Sequence, residues 1–161
     1  MRVQTKIGDV FSVKIDATHK KYFQYIANDL TQLNSDVIRA FKTIYPIDAK
    51  QDLREIVESE VEFYAHCILK IGVKLNFWEK VGHIATTGET DKILFRDSSD
   101  FGNPQIKISN NWWIWKINEE QRRVGKLEGE NTKAEIGVVF NADNIVHRMK
   151  TGTYSIPYPD F

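Results

Sequence analysis

The chain has 161 residues, 42% hydrophobic and 27% charged, with 22 basic and 22 acidic side chains. That length suits one domain, and that composition excludes a disordered chain. Charge is balanced along the chain, with 12 basic and 11 acidic groups in residues 1–80 and 10 and 11 in residues 81–161, which argues against a nucleic-acid partner.

Isoleucine, valine and threonine total 40 and the aromatics 19, against 17 alanine, leucine and methionine residues. β-branched and aromatic side chains favour strands. The expected fold is mostly β: a twisted antiparallel sheet or small barrel with one or two short helices, one domain over residues 1–161. A division near residues 85–92 is the alternative.

Alternation of Phe11, Val13 and Ile15 with Val10, Ser12 and Lys14 predicts a half-buried strand after Gly8. Tyr22–Ala27 and Val37–Tyr45 are two further strands. The polar stretches His19–Lys21 and Asn28–Asp36 read as turns, giving a three-stranded meander that Pro46 ends. Asp48 is a candidate N-cap for a short helix within Asp48–Glu60, with Leu53, Ile56 and Val57 on one face. Val61–Ile71 and Val73–Val81 read as strands, with Gly72 as a bulge or turn between them.

Ala85–Asp91 is a polar loop, Ile93–Arg96 a short strand and Asp97–Pro104 a second loop. Ile106 and Ile108 begin another strand, which Asn110–Asn111 turns into Trp112–Asn118. Glu119–Glu130 reads as a hairpin or loop and Ile136–Phe140 as an apolar strand. A short helix over Asp143–Met149 is capped by Asn141, and the tail carries Tyr154 and Ile156.

Cys67 is the single cysteine, which excludes a disulfide framework. No apolar run approaches the roughly 20 residues of a membrane helix. With no leader or lipidation motif in view, the chain is expected to be cytoplasmic, with no membrane partner. No P-loop, G-x-S-x-G elbow or zinc spacing occurs, so no catalytic residue, metal or cofactor is expected. His66 and Cys67 are neighbours in a strand and point to opposite faces, so they do not chelate one metal. Asp97 and Asp100, with Ser98, Ser99 and Asn103, suit either a cation or the capping of turn amides, and capping is the simpler reading.

Two features point to a partner. Asp52, Glu55 and Glu58, with Glu60 and Glu62, make an acidic stretch that reads as a solvated helix face or as a patch steering toward a basic partner. Trp78, Trp112, Trp113 and Trp115 read as core or core-edge residues or, alternatively, as anchors for a protein or a stacking surface for a sugar. The Trp112–Trp115 strand is also a candidate edge for a homodimer. A hydrolase with a carboxylate or Cys67 centre is a third reading.

Lys6-Ile7-Gly8-Asp9-Val10-Phe11-Ser12-Val13 resembles the opening of the bacterial immunity protein 26 family, which begins with a Gly-Asp-x-Phe strand. Tyr22-Phe23-Gln24-Tyr25-Ile26 resembles the family's aromatic second strand and Val37-Ile38-Arg39-Ala40-Phe41 its third. Phe95-Arg96-Asp97, Trp112-Trp113 and Val124-Gly125 resemble later strands. The family often has a Gly-Tyr-Gly element in its second strand, where this chain has Phe23-Gln24-Tyr25. The resemblance implies a non-enzymatic protein that binds a cognate toxin and occludes its active site. A small-ligand or carbohydrate-binding module is the alternative function.

Overall fold

A computed structural model of the chain describes residues 2–161. The first three strands are β1 (Asp9–Lys14), β2 (His19–Asp29) and β3 (Ser35–Phe41). They form the expected antiparallel meander, with Phe11 opposite Phe23 and Gln24 opposite Arg39. His19–Lys21 belongs to β2 rather than to a turn. Lys21 is buried because its ammonium donates to Glu62 (2.8 Å) and to the Met149 carbonyl (3.1 Å). Pro46 does not end the pairing: β4 (Tyr45–Pro46) lies along His19–Lys20, at a position where its missing N–H is not needed.

Helix α1 covers Leu53–Glu58, shorter than expected. Its cap is Asp52, not Asp48, because Asp52 stands directly before the first turn and its carboxylate accepts from the Arg54 amide. Strand β5 (Val61–Cys67) follows, then helix α2 (Leu69–Lys74). The expected strands across Val61–Ile71 and Val73–Val81 are thus interrupted by a helix. Gly72 sits inside it and is no bulge. A Cβ there would lie 2.0 Å from the Trp78 ring, so the missing side chain lets that indole lie on the helix. Strand β6 (Glu79–His83) then pairs with β1.

Strands β7 (Leu94–Ser98), β8 (Trp112–Lys116) and β9 (Arg122–Gly125) start a second sheet. Ile106–Ile108 forms no strand, only a single bridge between Ile108 and Asp160. After a 3-10 turn at Gly129–Lys133, the expected strand Ile136–Phe140 is divided. β10 (Glu135–Ile136) pairs parallel with β7, and β11 (Val139–Phe140) pairs parallel with β5. The chain crosses between sheets at Gly137, where a Cβ would lie within the Trp115 ring's contact distance, at 1.9 Å. Helix α3 (Ala142–Thr151) is capped by Asn141 and ends at Gly152, as a left-handed C-cap requires.

The larger sheet has the order β11-β5-β3-β2-β1-β6, with β4 off β2, and the smaller has β10-β7-β8-β9. The protein is therefore mostly β, as expected, with two twisted mixed sheets, three short helices and no closed barrel. One face of the larger sheet buries Phe11, Phe23, Ile38 and Phe63 under Trp78, Phe140 and α3. Its other face is shared. Val10, Tyr22 and Phe41 lie under Ile56 and Val57 of α1, while Ile26 and Val37 meet Phe95 and Trp115 of the smaller sheet. Strands buried on both faces lose the simple apolar-polar alternation. Among the described residues no helix is long and apolar enough to cross a membrane.

Candidate functional site

The acidic stretch keeps the exposure expected of it. Ile56 and Val57 enter the core, which turns Asp52, Glu55 and Glu58 outward. Close approach fixes the helix: Leu53 packs against Gly82, where a Cβ would lie 2.3 Å from its methyl group. Among the described residues no ion pair includes Asp52, Glu55 or Glu58. Glu60 and Glu62 leave this group, because they pair with Lys42 (3.7 Å) and Lys21 (2.8 Å).

Three of the four tryptophans are not available to a partner. Trp78, Trp112 and Trp115 are 4%, 0% and 2% exposed. Each indole N–H is also used: Trp78 donates to the Leu69 carbonyl, Trp112 to the Ser109 carbonyl and Trp115 to Asp29 Oδ2. The anchoring role expected of these three is corrected accordingly. The smaller sheet is covered on both faces, by the larger sheet around Trp115 and by Tyr158 and Phe161 of the tail around Trp112. Trp113 is half-buried and donates to Ser99 Oγ at 2.9 Å. A stacking platform of several indoles is therefore not assembled. The proposed dimer edge is also corrected, since β8 has β7 on one side and β9 along Trp112–Ile114 on the other and is not an edge strand.

The buried Asp29–His66 pair links the two sheets, and His66 Nδ1 is left without a partner. Asp29 Oδ2 accepts from His66 Nε2 (2.9 Å) and Trp115 Nε1 (3.1 Å), and Oδ1 accepts from Thr31 and the Asn118 amide. Burial alone would raise the Asp29 pKa. The hydrogen bonds from Thr31, His66, Asn118 and Trp115 outweigh it and hold the carboxyl below its ordinary value. Burial pushes the His66 pKa down, only partly opposed by Asp29, so the imidazole is neutral at pH 7. No solvent reaches either side chain. Cys67 faces the opposite core, and burial pushes its thiol up, so it is not an activated nucleophile.

Asp9, of the Gly-Asp-x-Phe motif, is buried and binds His83 Nδ1 (3.0 Å), Lys80 (3.2 Å) and the Lys6 amide (2.8 Å). It ties β6 to the start of β1. In the Asp97–Pro104 loop, Asp100 Oδ2 accepts from Ser109 (2.7 Å) and Asn111 (3.1 Å), while Asp97 accepts from the Ser98 amide and the Tyr158 hydroxyl. Asp97 thus caps a turn amide, whereas Asp100 ties the loop to Ser109 and Asn111 through their side chains. Among the described residues no group of three or more His, Cys, Asp or Glu side chains could hold a metal ion.

A cleft where β10 meets the end of α3 has no local signal in the sequence. Arg96, Glu135, Arg148, Tyr154 and Tyr158 line it, from three separate stretches of chain. Arg148 donates to Glu135 Oε2 at 3.1 Å and lies 4.1 Å from the Phe63 ring centre. No family model matches the chain, and no curated protein or solved structure matches it.

Proposed function

We propose that the protein is a non-enzymatic, immunity-type binding protein that neutralises a cognate toxin by covering its active site. The observation that carries this reading is the outward acidic face of α1, where Asp52, Glu55 and Glu58 have no cationic partner. Fixed, unpaired carboxylates speed the encounter with a basic surface, such as the phosphate-binding site of a nuclease. The family resemblance supports the same reading from the other side of the helix. Its three strands are β1, β2 and β3, and Val10, Tyr22 and Phe41 from them form the seat of α1. Trp113 is the one tryptophan with surface left to add a contact.

The test begins with affinity capture of a toxic partner from the native cells, followed by assay of that toxin with and without this protein. The combined variant Asp52→Asn, Glu55→Gln, Glu58→Gln keeps the helix cap, since Asn caps as well as Asp. It is expected to slow association on the order of tenfold at low salt and to flatten the salt dependence. A captured partner whose toxicity the protein does not block overturns the reading, as does an unchanged association rate in the variant.

A further inference from the structure

The cleft beside α3 has a volume of about 280 Å3 and contains a cation, Arg96, that Glu135 and Asp160 stabilise from a distance without a direct ion pair. Arg148 is neutralised by Glu135. Arg96 takes part in no ion pair among the described residues. Its guanidinium lies 4.8 Å from the Trp112 ring centre, 5.0 Å from Phe161 and 5.6 Å from Tyr158. These rings fix its plane and leave its edge for hydrogen bonding. Nε uses the Ala134 carbonyl at 3.0 Å, whereas Nη1 is buried without a partner. A second unmet donor lines the same cleft: the Tyr154 hydroxyl sits beside the Arg148 guanidinium, which can only donate to it, and its own proton has no acceptor, its ring stacked 3.7 Å from that of Phe140. Burial pushes the Tyr154 pKa up, so the hydroxyl keeps its proton and can donate.

Leaving buried donors unmade is costly, most of all on a charged group. Two such donors, one of them on a cation without a direct ion pair, suit an oxyanion. A planar guanidinium edge matches a carboxylate in shape. The cleft-lining charges are Arg96, Arg148 and Glu135, a net +1, which suits a monoanion; a phosphate dianion would meet repulsion from Glu135. Ile136 and Ile156 supply apolar wall. The volume falls just under the roughly 300–1,000 Å3 of ordinary ligand pockets, so the ligand is small. We propose that this cleft binds a small aliphatic monocarboxylate, held by the Arg96 edge and the Tyr154 hydroxyl with its alkyl part against Ile136 and Ile156. Both donors are closed to water here, so binding shifts the exposed Gly152–Thr153 rim, where Gly152 has open space around it. This site is independent of the acidic face of α1.

Heteronuclear NMR of the full chain tests it, with sodium isobutyrate, sodium phosphate and sodium chloride titrated at matched ionic strength. The expected result is saturable shifts at Arg96 Nε and around residues 152–156 with isobutyrate alone. Arg96→Lys keeps the charge but loses the planar edge, and is expected to weaken binding on the order of tenfold. Tyr154→Phe keeps the ring stack, so it serves if the arginine variant unfolds, with an expected loss of about threefold or more. No saturable isobutyrate shift, saturation by phosphate instead, or undiminished binding in both variants overturns the proposal.

Discussion

Asp29 and His66 are wholly buried, and their bonds join residues far apart in the chain: the end of β2, the end of β5 and Trp115 on the smaller sheet. The pair makes stability depend on pH in two windows. The folded pKa of His66 lies below its ordinary value, so the unfolded chain takes up a proton near about pH 6.5 that the folded one refuses. Stability therefore falls as pH drops below about 6.5, until the folded imidazole titrates too. Asp29 has a lowered folded pKa, so its contribution is present above about pH 3.9 and is lost as pH falls through the folded value. His66→Gln should thus unfold more easily than the wild type at about pH 7, yet lose less stability between about pH 6.5 and 5. Urea midpoints across that range check this, and an unchanged slope would show that the imidazole is not the group titrating.

The turn between β2 and β3 carries strain in one short element. Leu33 and Asn34 have φ of 51° and 50°, and the Ser35 amide closes the turn on the Gln32 carbonyl at 3.1 Å. Two left-handed residues in a row define a turn that Asn-Gly fits best, and a leucine there costs roughly 1–2 kcal/mol. Leu33 is 86% exposed, so no core contact offsets that cost. Replacing the pair by Asn-Gly should raise stability by about 1 kcal/mol, measured as the denaturation midpoint with an unchanged m-value. The element scale also shows what a linear reading can reach. The meander was legible because β1–β3 are joined by short turns, and Asn141 because it directly precedes its helix. α2 was not legible: Ile68, Leu69, Ile71 and Val73 are β-branched or apolar on every side, and the helix rests on Trp78 packing into the space at Gly72. The division of Ile136–Phe140 was hidden for the same reason, since the cause is Trp115, more than twenty residues away in sequence. In the acidic stretch, exposure followed from Ile56 and Val57 taking the inner side of the helix. For the tryptophans, burial depended on which distant segment lies over each ring.

At the scale of the whole molecule, the smaller sheet has little core of its own. Its inner face shares one cluster with Ile26 and Val37 of the larger sheet, and its outer face depends on Trp112, Ile114 and Leu127 being covered by Tyr158. The tail adds further ties, through the Tyr158 bond to Asp97, the Ile108–Asp160 bridge and Phe161 beside Arg96. A four-stranded sheet of this size gains its stability from such coverings rather than from its ladder alone. The larger sheet does not need them, because α3 and Trp78 already close its opposite face. Removing Tyr158–Phe161 should therefore loosen one sheet before the other. Amide exchange is expected to accelerate in β7, β8 and β9 while β1, β2 and β3 keep their protection, and tryptophan emission should shift to the red as Trp112 meets water. Equal acceleration in both sheets would mean that the tail supports the molecule as a single cooperative unit, with Trp112 and Trp115 exposed only by global unfolding.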